Sequence, residues 1–223
     1  MGENGSVLVY AALVPPREIL DELWSVVAPP VDEEAPQAPS RRRAARRRPA
    51  TSAPRAATMT PPVLELTPIA HVHLMIAKFG NLSRGDANRV AEALTLSASE
   101  WSTPRLQLGG YTTSEAEDDP SIWVDLDGDI DALNAVARGV PEVAARLGLF
   151  LDRRLFQPSV RLGTVIPGAP EPELEAVLAK LAAFETNKWW QPGFSVLSPA
   201  EHGPDEPPYN TVAEIPLGPH VLH

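Results

Sequence analysis

Residues 70–80 read AHVHLMIAKFG, a run of mostly apolar side chains that contains two histidines and ends in glycine. Valine, isoleucine and phenylalanine favour extended backbone, so we predict a buried β-strand over residues 70–79 that stops at Gly80-Asn81. Alternate side chains of a strand share a face. The strand is therefore expected to place His71, His73 and Met75 on one side.

Strand and helix signals alternate on both sides of this stretch. Residues 6–13 form an apolar, β-rich run. Pro15-Pro16 then indicates the first turn of an amphipathic helix over residues 17–24. Downstream, Ser83 is a suitable N-cap for a helix that ends near Ala98.

The second half repeats this alternation and predicts an α+β fold class. Asp129 can cap a helix, and Pro141 predicts the start of another one that ends near Leu147, because proline is tolerated in a first turn. The remaining predicted elements are a helix over residues 170–184 and strands at residues 105–108, 121–126, 159–166, 194–197 and 211–215.

The stretch from His73 to Gly80 resembles the first motif of the 2H phosphoesterase superfamily, in its 2′-5′ RNA ligase-like branch. That motif usually reads His-x-Thr-Leu-x-Phe-Leu-Gly, with the same spacing from histidine to glycine. Residues 156–162, FQPSVRL, are similar to the second motif, Phe-x-Pro-His-x-Thr-Leu. The resemblance implies two pseudo-symmetric α/β lobes around a groove, and it covers nearly the whole chain except residues 29–62.

The departures from the family motifs bear on activity. In the family, one histidine acts as general base and the other as general acid, while two hydroxyl residues hold the phosphoryl oxygens. Here Met75 replaces the first hydroxyl residue, Ser159 the second histidine and Arg161 the second hydroxyl residue. Losing one proton-transfer partner typically lowers the rate by about 10²–10⁴-fold. The groove with His73 is therefore expected to be a vestige without catalytic residues.

Other interpretations of the same residues stay open. His71-Val72-His73 could be the histidine motif, with His73 at the threonine place, although the spacing to Gly80 favours the first register. Both histidines could also be ordinary strand residues. Ser159 and Arg161 share a strand face, so together with His73 they could bind a phosphate or nucleotide without catalysing its reaction. Arg161 could instead pair with an acidic side chain of the same protein.

Composition excludes several classes of protein. The chain has 223 residues, 43% of them hydrophobic, which suffices for one large domain or two small lobes. The absence of cysteine excludes disulfide scaffolds, thiol catalysis and cysteine-ligated zinc. No stretch approaches the roughly 18 apolar residues of a membrane span, and no basic start of a secretory signal is present. We expect a protein inside a cell or a viral particle, without a membrane partner.

Charge is distributed unevenly along the chain. The net charge is −10, yet residues 41–55 hold seven of the 19 basic residues and no acid, which leaves 12 basic against 29 acidic groups, or −17, elsewhere. Residues 29–62 also hold eight prolines, which predicts a linker or arm between domain parts 1–28 and 63–223. The arginines predicted to contact an acidic protein, or alternatively nucleic acid, are Arg41, Arg42, Arg43, Arg46, Arg47 and Arg48.

Two shorter features complete the prediction. Trp189-Trp190 stands beside a turn, and adjacent aromatic side chains of an extended chain cannot both enter one core, so at least one should be exposed or lie in an interface. A tryptophan lid on the C-terminal lobe is the alternative.

Residues 125–131, DLDGDID, resemble a calcium loop only superficially, because glycine stands at the fourth place instead of the sixth. We expect no metal and no cofactor.

These features predict a non-catalytic 2H-like interaction or assembly module, with the arm held by protein subunits of a larger complex. A viral head–tail junction is one form of such a complex. The first alternative is a 2H phosphodiesterase or RNA ligase-like enzyme acting on 2′,3′-cyclic or 2′-5′ linked nucleotides. The second is a nucleotide-binding sensor.

Overall fold

Residues 6–27, 62–114, 120–149, 151, 156–203 and 206–219 are described by the computed structural model of the chain. The six arginines of the predicted arm lie outside these residues, so the arm stays a prediction. The strands of the described part are β1 (Val7–Leu13), β2 (Leu64–Leu66), β3 (Leu74–Leu82), β4 (Arg105–Leu108), β5 (Thr112–Thr113), β6 (Ser121–Gly128), β7 (Ser159–Val165), β8 (Trp189–Trp190), β9 (Gly193–Pro199) and β10 (Tyr209–Pro216). The helices are α1 (Arg17–Val27), α2 (Arg84–Ala98), α3 (Ile130–Arg146) and α4 (Glu171–Ala182), with a 3₁₀ turn at Ile69–His71.

The first sheet joins strands from the two ends of the described chain. Its order is β10-β9-β1-β3, and every neighbouring pair is antiparallel. Tyr10 of β1 pairs with Lys78 of β3 on one side and with Leu197 of β9 on the other. A β-bulge at this point lets Gly80 adopt a φ of 83°, which glycine tolerates best. The motif glycine therefore sets the path of β3.

The second sheet is built from the middle of the chain. Its order is β2-β7-β6-β4-β8, with β5 also paired to β6, and all pairs are antiparallel. The pairing of β6 with β7 runs from Ser121–Thr164 to Asp125–Ser159. This register places the second motif strand beside an acidic strand.

One contiguous hydrophobic core connects the two sheets and the helices. Leu13 of β1, Leu94 of α2, Leu133 of α3, Leu162 of β7 and Leu181 of α4 are all buried within it. Burial of each such side chain contributes roughly 1.5–3 kcal/mol. α2 packs against β10 and α3, while α1 packs against α4. The two-sheet α+β arrangement confirms the predicted fold class, and no helix of the described residues could span a membrane.

The predicted strand over residues 70–79 is wrong at both ends. The 3₁₀ turn ends at His71, whose N–H donates to the Pro68 carbonyl over 2.8 Å, and β3 begins only at Leu74. Pro68 has no N–H to donate to a neighbouring strand, and it directly precedes the 3₁₀ turn. At the other end, the bulge at Gly80 lets the strand continue to Leu82.

The predicted break at Pro141 is also wrong, because α3 is one helix from Ile130 to Arg146. A proline inside a helix removes one backbone hydrogen bond. The apolar stripe continues across it, since Leu133 and Val143 are both buried. Asp129 precedes the helix as predicted, but its carboxylate accepts from the Arg105 N–H over 2.9 Å instead of capping α3.

The remaining predicted elements are confirmed to within a few residues. Ser83 is the N-cap of α2, with its Oγ accepting from the Asp86 N–H over 3.2 Å. Sequence patterns did not predict the short strands β2, β5 and β8. Each has only two or three residues, too few to show an alternation of apolar and polar side chains.

Candidate functional site

His73 lies just before β3, and its imidazole is fixed by a local hydrogen bond. Nδ1 lies 2.9 Å from the carbonyl oxygen of His71. A carbonyl only accepts, so Nδ1 carries the hydrogen and Nε2 of the neutral ring has the lone pair. The backbone of the preceding 3₁₀ turn therefore selects the tautomer of His73.

Two tyrosines flank the same ring. The ring centroids of Tyr10 and Tyr209 lie 5.7 and 5.6 Å from that of His73, and Tyr209 meets it edge-on. Burial lowers the pKa of His73, because a charged imidazolium is poorly solvated in this setting. Burial also raises the pKa of both tyrosines. The cluster is therefore uncharged near neutral pH.

Met75 follows on the side of β3 that faces away from the core. It pairs with Ala12, which belongs with Tyr10, Leu197 and Tyr209 to a small cluster separate from the main core. The Met75 side chain is half exposed. A thioether is at most a weak acceptor and donates no hydrogen bond, so this position offers no hydroxyl to a phosphoryl oxygen.

The second motif strand places Ser159 and Arg161 on one face of β7. Both are partly buried, while Val160 and Leu162 between and beyond them are fully buried in the core. Nη2 of Arg161 donates to Thr164 Oγ1 over 2.9 Å. The Arg161 guanidinium therefore forms a hydrogen bond with a side chain of its own strand, β7.

Acidic side chains line the neighbouring strand. Asp125 pairs directly with Ser159 across β6 and β7. Its two carboxylate oxygens lie 3.3 and 3.1 Å from Thr112 Oγ1, which donates to the carboxylate. Asp127, further along the same face, accepts from Gln107 Nε2 over 3.4 Å. Asp125 and Asp127 therefore add negative charge beside Ser159, on the face that also holds Arg161.

An open cavity of about 680 Å³ lies beside the tyrosine–histidine cluster. Tyr209, Ser195 and Glu214 line it, and Ser195 Oγ donates to Glu214 Oε2 over 2.8 Å. Neither Ser159 nor Arg161 is among its lining residues. His73 is not among them either, so a shared anion pocket formed by His73, Ser159 and Arg161 stays a prediction.

Sequence patterns did not single out Tyr10, Ser195 or Glu214. These residues come from three strands that meet only through long-range pairing. Asp125 could have been found, because Trp123, Asp125 and Asp127 alternate with buried apolar residues along β6.

The two adjacent tryptophans differ in burial, as expected. Trp189 is buried and donates from Nε1 to Gln191 Oε1 over 3.0 Å, while Trp190 is 45% exposed. The Arg105 guanidinium carbon lies 5.7 Å from the Trp190 ring centroid. The prediction that both cannot enter the core is confirmed, whereas an interface at Trp190 stays a prediction. Among the residues described here, no three His, Asp or Glu side chains are grouped closely enough to hold a metal ion.

Comparison with known proteins identifies the fold. No family model matches the chain, and no curated protein matches it. Among solved structures, LigT of E. coli complexed with 3′-AMP is 14% identical with a TM-score of 0.55, over 95% of this chain and 98% of that one. TT0787 of Thermus thermophilus is 15% identical with a TM-score of 0.58, over 94% and 97%. A phosphoesterase is 17% identical with a TM-score of 0.54, over 96% and 99%.

Proposed function

We propose that this chain, which has the LigT-like fold of the 2H phosphoesterases, is a non-catalytic interaction module that joins protein subunits of a larger assembly. The observation that supports this most is Ser159 at the place of the second motif histidine. A serine hydroxyl cannot replace histidine as a general acid or base near neutral pH, because it does not titrate in that range. One imidazole, that of His73, therefore stands where the 2H reaction uses two.

The charge near Ser159 also opposes the reaction. Directly opposed residues of antiparallel strands have Cβ atoms about 4.5–5.5 Å apart. The Asp125 carboxylate would therefore repel a phosphate bound at Ser159, although Arg161 on the same face of β7 carries the opposite charge. Asp125 therefore disfavours binding of the phosphate substrate, and this effect adds to the loss of the second catalytic histidine.

The acidic body and Trp190 support a protein partner. The chain outside residues 41–55 carries −17, which disfavours a nucleic-acid backbone and favours a basic protein surface. Trp190 is a large exposed aromatic side chain backed by Arg105, a pair of residue types enriched in protein interfaces. A viral head–tail junction is one assembly of this kind. Nucleic acid contacting the six arginines is the competing partner.

Hydrolysis assays test the absence of catalysis. The purified protein should hydrolyse a 2′,3′-cyclic nucleotide and a 2′-5′ linked dinucleotide no faster than its His73→Ala variant. A triple variant that restores the motif residues, Met75→Thr with Ser159→His and Arg161→Thr, should gain turnover that disappears when His73→Ala is added. Turnover by the unaltered protein that depends on His73 contradicts the proposal.

The enzyme is the second candidate, and the state of His73 favours it. Its Nδ1–H is fixed by the His71 carbonyl, and its lowered pKa keeps Nε2 unprotonated near neutral pH. A group in this state can act as a general base. The nucleotide sensor should differ from the enzyme by not hydrolysing cyclic or 2′-5′ linked nucleotides. It should differ from the interaction module by binding 3′-AMP, the molecule bound to LigT in a solved structure. Calorimetric titration with 3′-AMP separates the sensor from the interaction module.

A further inference from the structure

The cavity beside Tyr209 has the side chains of a groove for a proline-rich segment. Pro192, Pro207 and Pro216 line it together with the Tyr209 ring. Proline-rich segments bind shallow grooves lined by aromatic residues, because their preformed conformation loses little entropy on binding. The apolar part of the cavity matches this chemistry.

The cavity also has an acidic group in a defined position. Glu214 lines it, and the hydroxyl of the buried Ser195 donates to its Oε2 over 2.8 Å. The negative charge of Glu214 contributes to the raised pKa of Tyr209, after burial, so the carboxylate lies near the aromatic ring. Carboxylates pair with arginine in geometrically specific, charge-assisted hydrogen bonds. An occupant with proline followed by arginine would use both features.

The chain contains such a segment between α1 and β2. Residues 36–41 read Pro-Gln-Ala-Pro-Ser-Arg, so two prolines stand three residues apart and an arginine follows two residues later. Prolines at this spacing form the Pro-x-x-Pro pattern of ligands for aromatic grooves. The described residues end before this segment at Val27 and begin again at Pro62.

The position of α1 brings this segment within reach of the cavity. Val14 lines the cavity and precedes α1, and Val27 ends the helix. The 11 residues of α1 span about 16 Å, and the three residues before it add at most about 10 Å. Residues 28–36 can span about 30 Å when extended. Pro36 can therefore return along α1 to the cavity of its own chain.

We propose that residues 36–41 dock in this cavity of the same chain, with Pro36 and Pro39 against Tyr209 and Arg41 paired with Glu214. The proposal does not depend on the absence of catalysis, since an active 2H enzyme could carry the same contact. It gives the arm an attachment point on the acidic body.

Peptide binding to the full-length chain tests the docking. The probe is a fluorescent synthetic peptide of residues 34–43, and the receptor is a full-length variant with Pro36→Ala, Pro39→Ala and Arg41→Ala. The peptide should bind this variant at least about 10-fold more tightly than the unaltered chain, because a tethered segment competes at a millimolar effective concentration. Fluorescence anisotropy measures both affinities.

Further variants of the same receptor test the site. Tyr209→Ala and Glu214→Gln should each weaken peptide binding at least about 10-fold, whereas Tyr209→Phe should retain it. Glu142→Gln removes an exposed carboxylate of α3 outside the cavity and should change nothing. Circular dichroism verifies that each variant is folded. The proposal is overturned if the peptide binds neither receptor, or if neither cavity substitution changes the affinity of the peptide. Equal binding to the altered and unaltered chains means that the chain's own segment does not occupy the cavity, which also overturns the proposal.

Discussion

Burial favours the neutral form of the His73 imidazole by lowering its pKa, while the hydrogen bond to the His71 carbonyl raises the pKa by a smaller amount. The His71 carbonyl fixes the hydrogen on Nδ1, and the rings of Tyr10 and Tyr209 replace water on its flanks. Together they position the ring as an acceptor at Nε2. The same burial couples the protonation of His73 to folding.

We expect His73 to make stability fall in mild acid. Burial lowers its folded-state pKa below the ordinary value near 6.5, so the unfolded state binds the proton first as the pH falls. The contribution is complete above about pH 6.5 and is lost below it, down to the folded-state pKa. His73→Phe retains the ring contacts and removes the titration. Its melting temperature should therefore vary less than that of the unaltered protein between about pH 7.5 and 5.

His202 provides the matched control. It lies between β9 and β10, where Nδ1 is 3.5 Å from Glu206 and Nε2 is 3.2 Å from Asn210. His202→Gln should keep the full loss of melting temperature in mild acid. If the melting temperatures of His73→Phe and the unaltered protein depend on pH in the same way, burial does not lower the pKa of His73.

At the scale of the elements, α3 depends on a glycine for its close approach to Trp101. A Cβ at Gly139 would lie 2.4 Å from Cζ2 of the Trp101 ring, which itself stacks on Phe194 at 6.3 Å between centroids. The indole cannot withdraw without disturbing that stack. The close packing of α3 onto the loop after α2 therefore requires glycine at this position.

Gly139→Ala should lower the free energy of unfolding by about 1–3 kcal/mol, the usual cost of overpacking a core. Gly85→Ala is the matched substitution in α2, where the added Cβ meets only Ser83 Oγ at 3.8 Å. It should raise stability by about 0.4–1 kcal/mol, because alanine loses less backbone entropy in a helix. Urea titrations of both variants measure these changes. Equal effects of the two substitutions would show that Trp101 does not pack on α3.

Sequence patterns predicted long elements well and local interruptions poorly. Ser83 and the periodic apolar residues of α2 suffice to predict that helix, since both signals are local. The continuity of α3 through Pro141 depends on tertiary packing, which local propensity does not describe. Likewise, His73 could be predicted from its spacing to Gly80, but Ser195 and Glu214 become neighbours only when β9 pairs with β10. Residues brought together by pairing leave no local signature.

At the scale of the molecule, the core of the described residues includes side chains from both sides of the predicted arm. The core cluster resumes at Val63 and Leu64 and contains residues of α1 through α4. Replacing residues 29–61 by a Gly/Ser linker of equal length should leave the body folded. The melting temperature should fall by only about 3–6 °C, because a docked segment that weakens peptide binding about 10-fold stabilises the chain by roughly 1.4 kcal/mol. Incorporation into the assembly should weaken. Unfolding of the variant in a thermal melt would place the arm in the core.

The order of strands in the first sheet constrains when the protein can fold during its synthesis. Tyr10 of β1 finds its partner Leu197 in β9, 187 positions later in the chain. At a ribosomal rate of about 5–20 residues per second, β9 is synthesised about 10–40 s after β1. Contacts of such high sequence separation also slow folding after release. A nascent chain arrested before β9 therefore exposes a nearly apolar strand edge, and such a chain is a natural client for ribosome-associated chaperones.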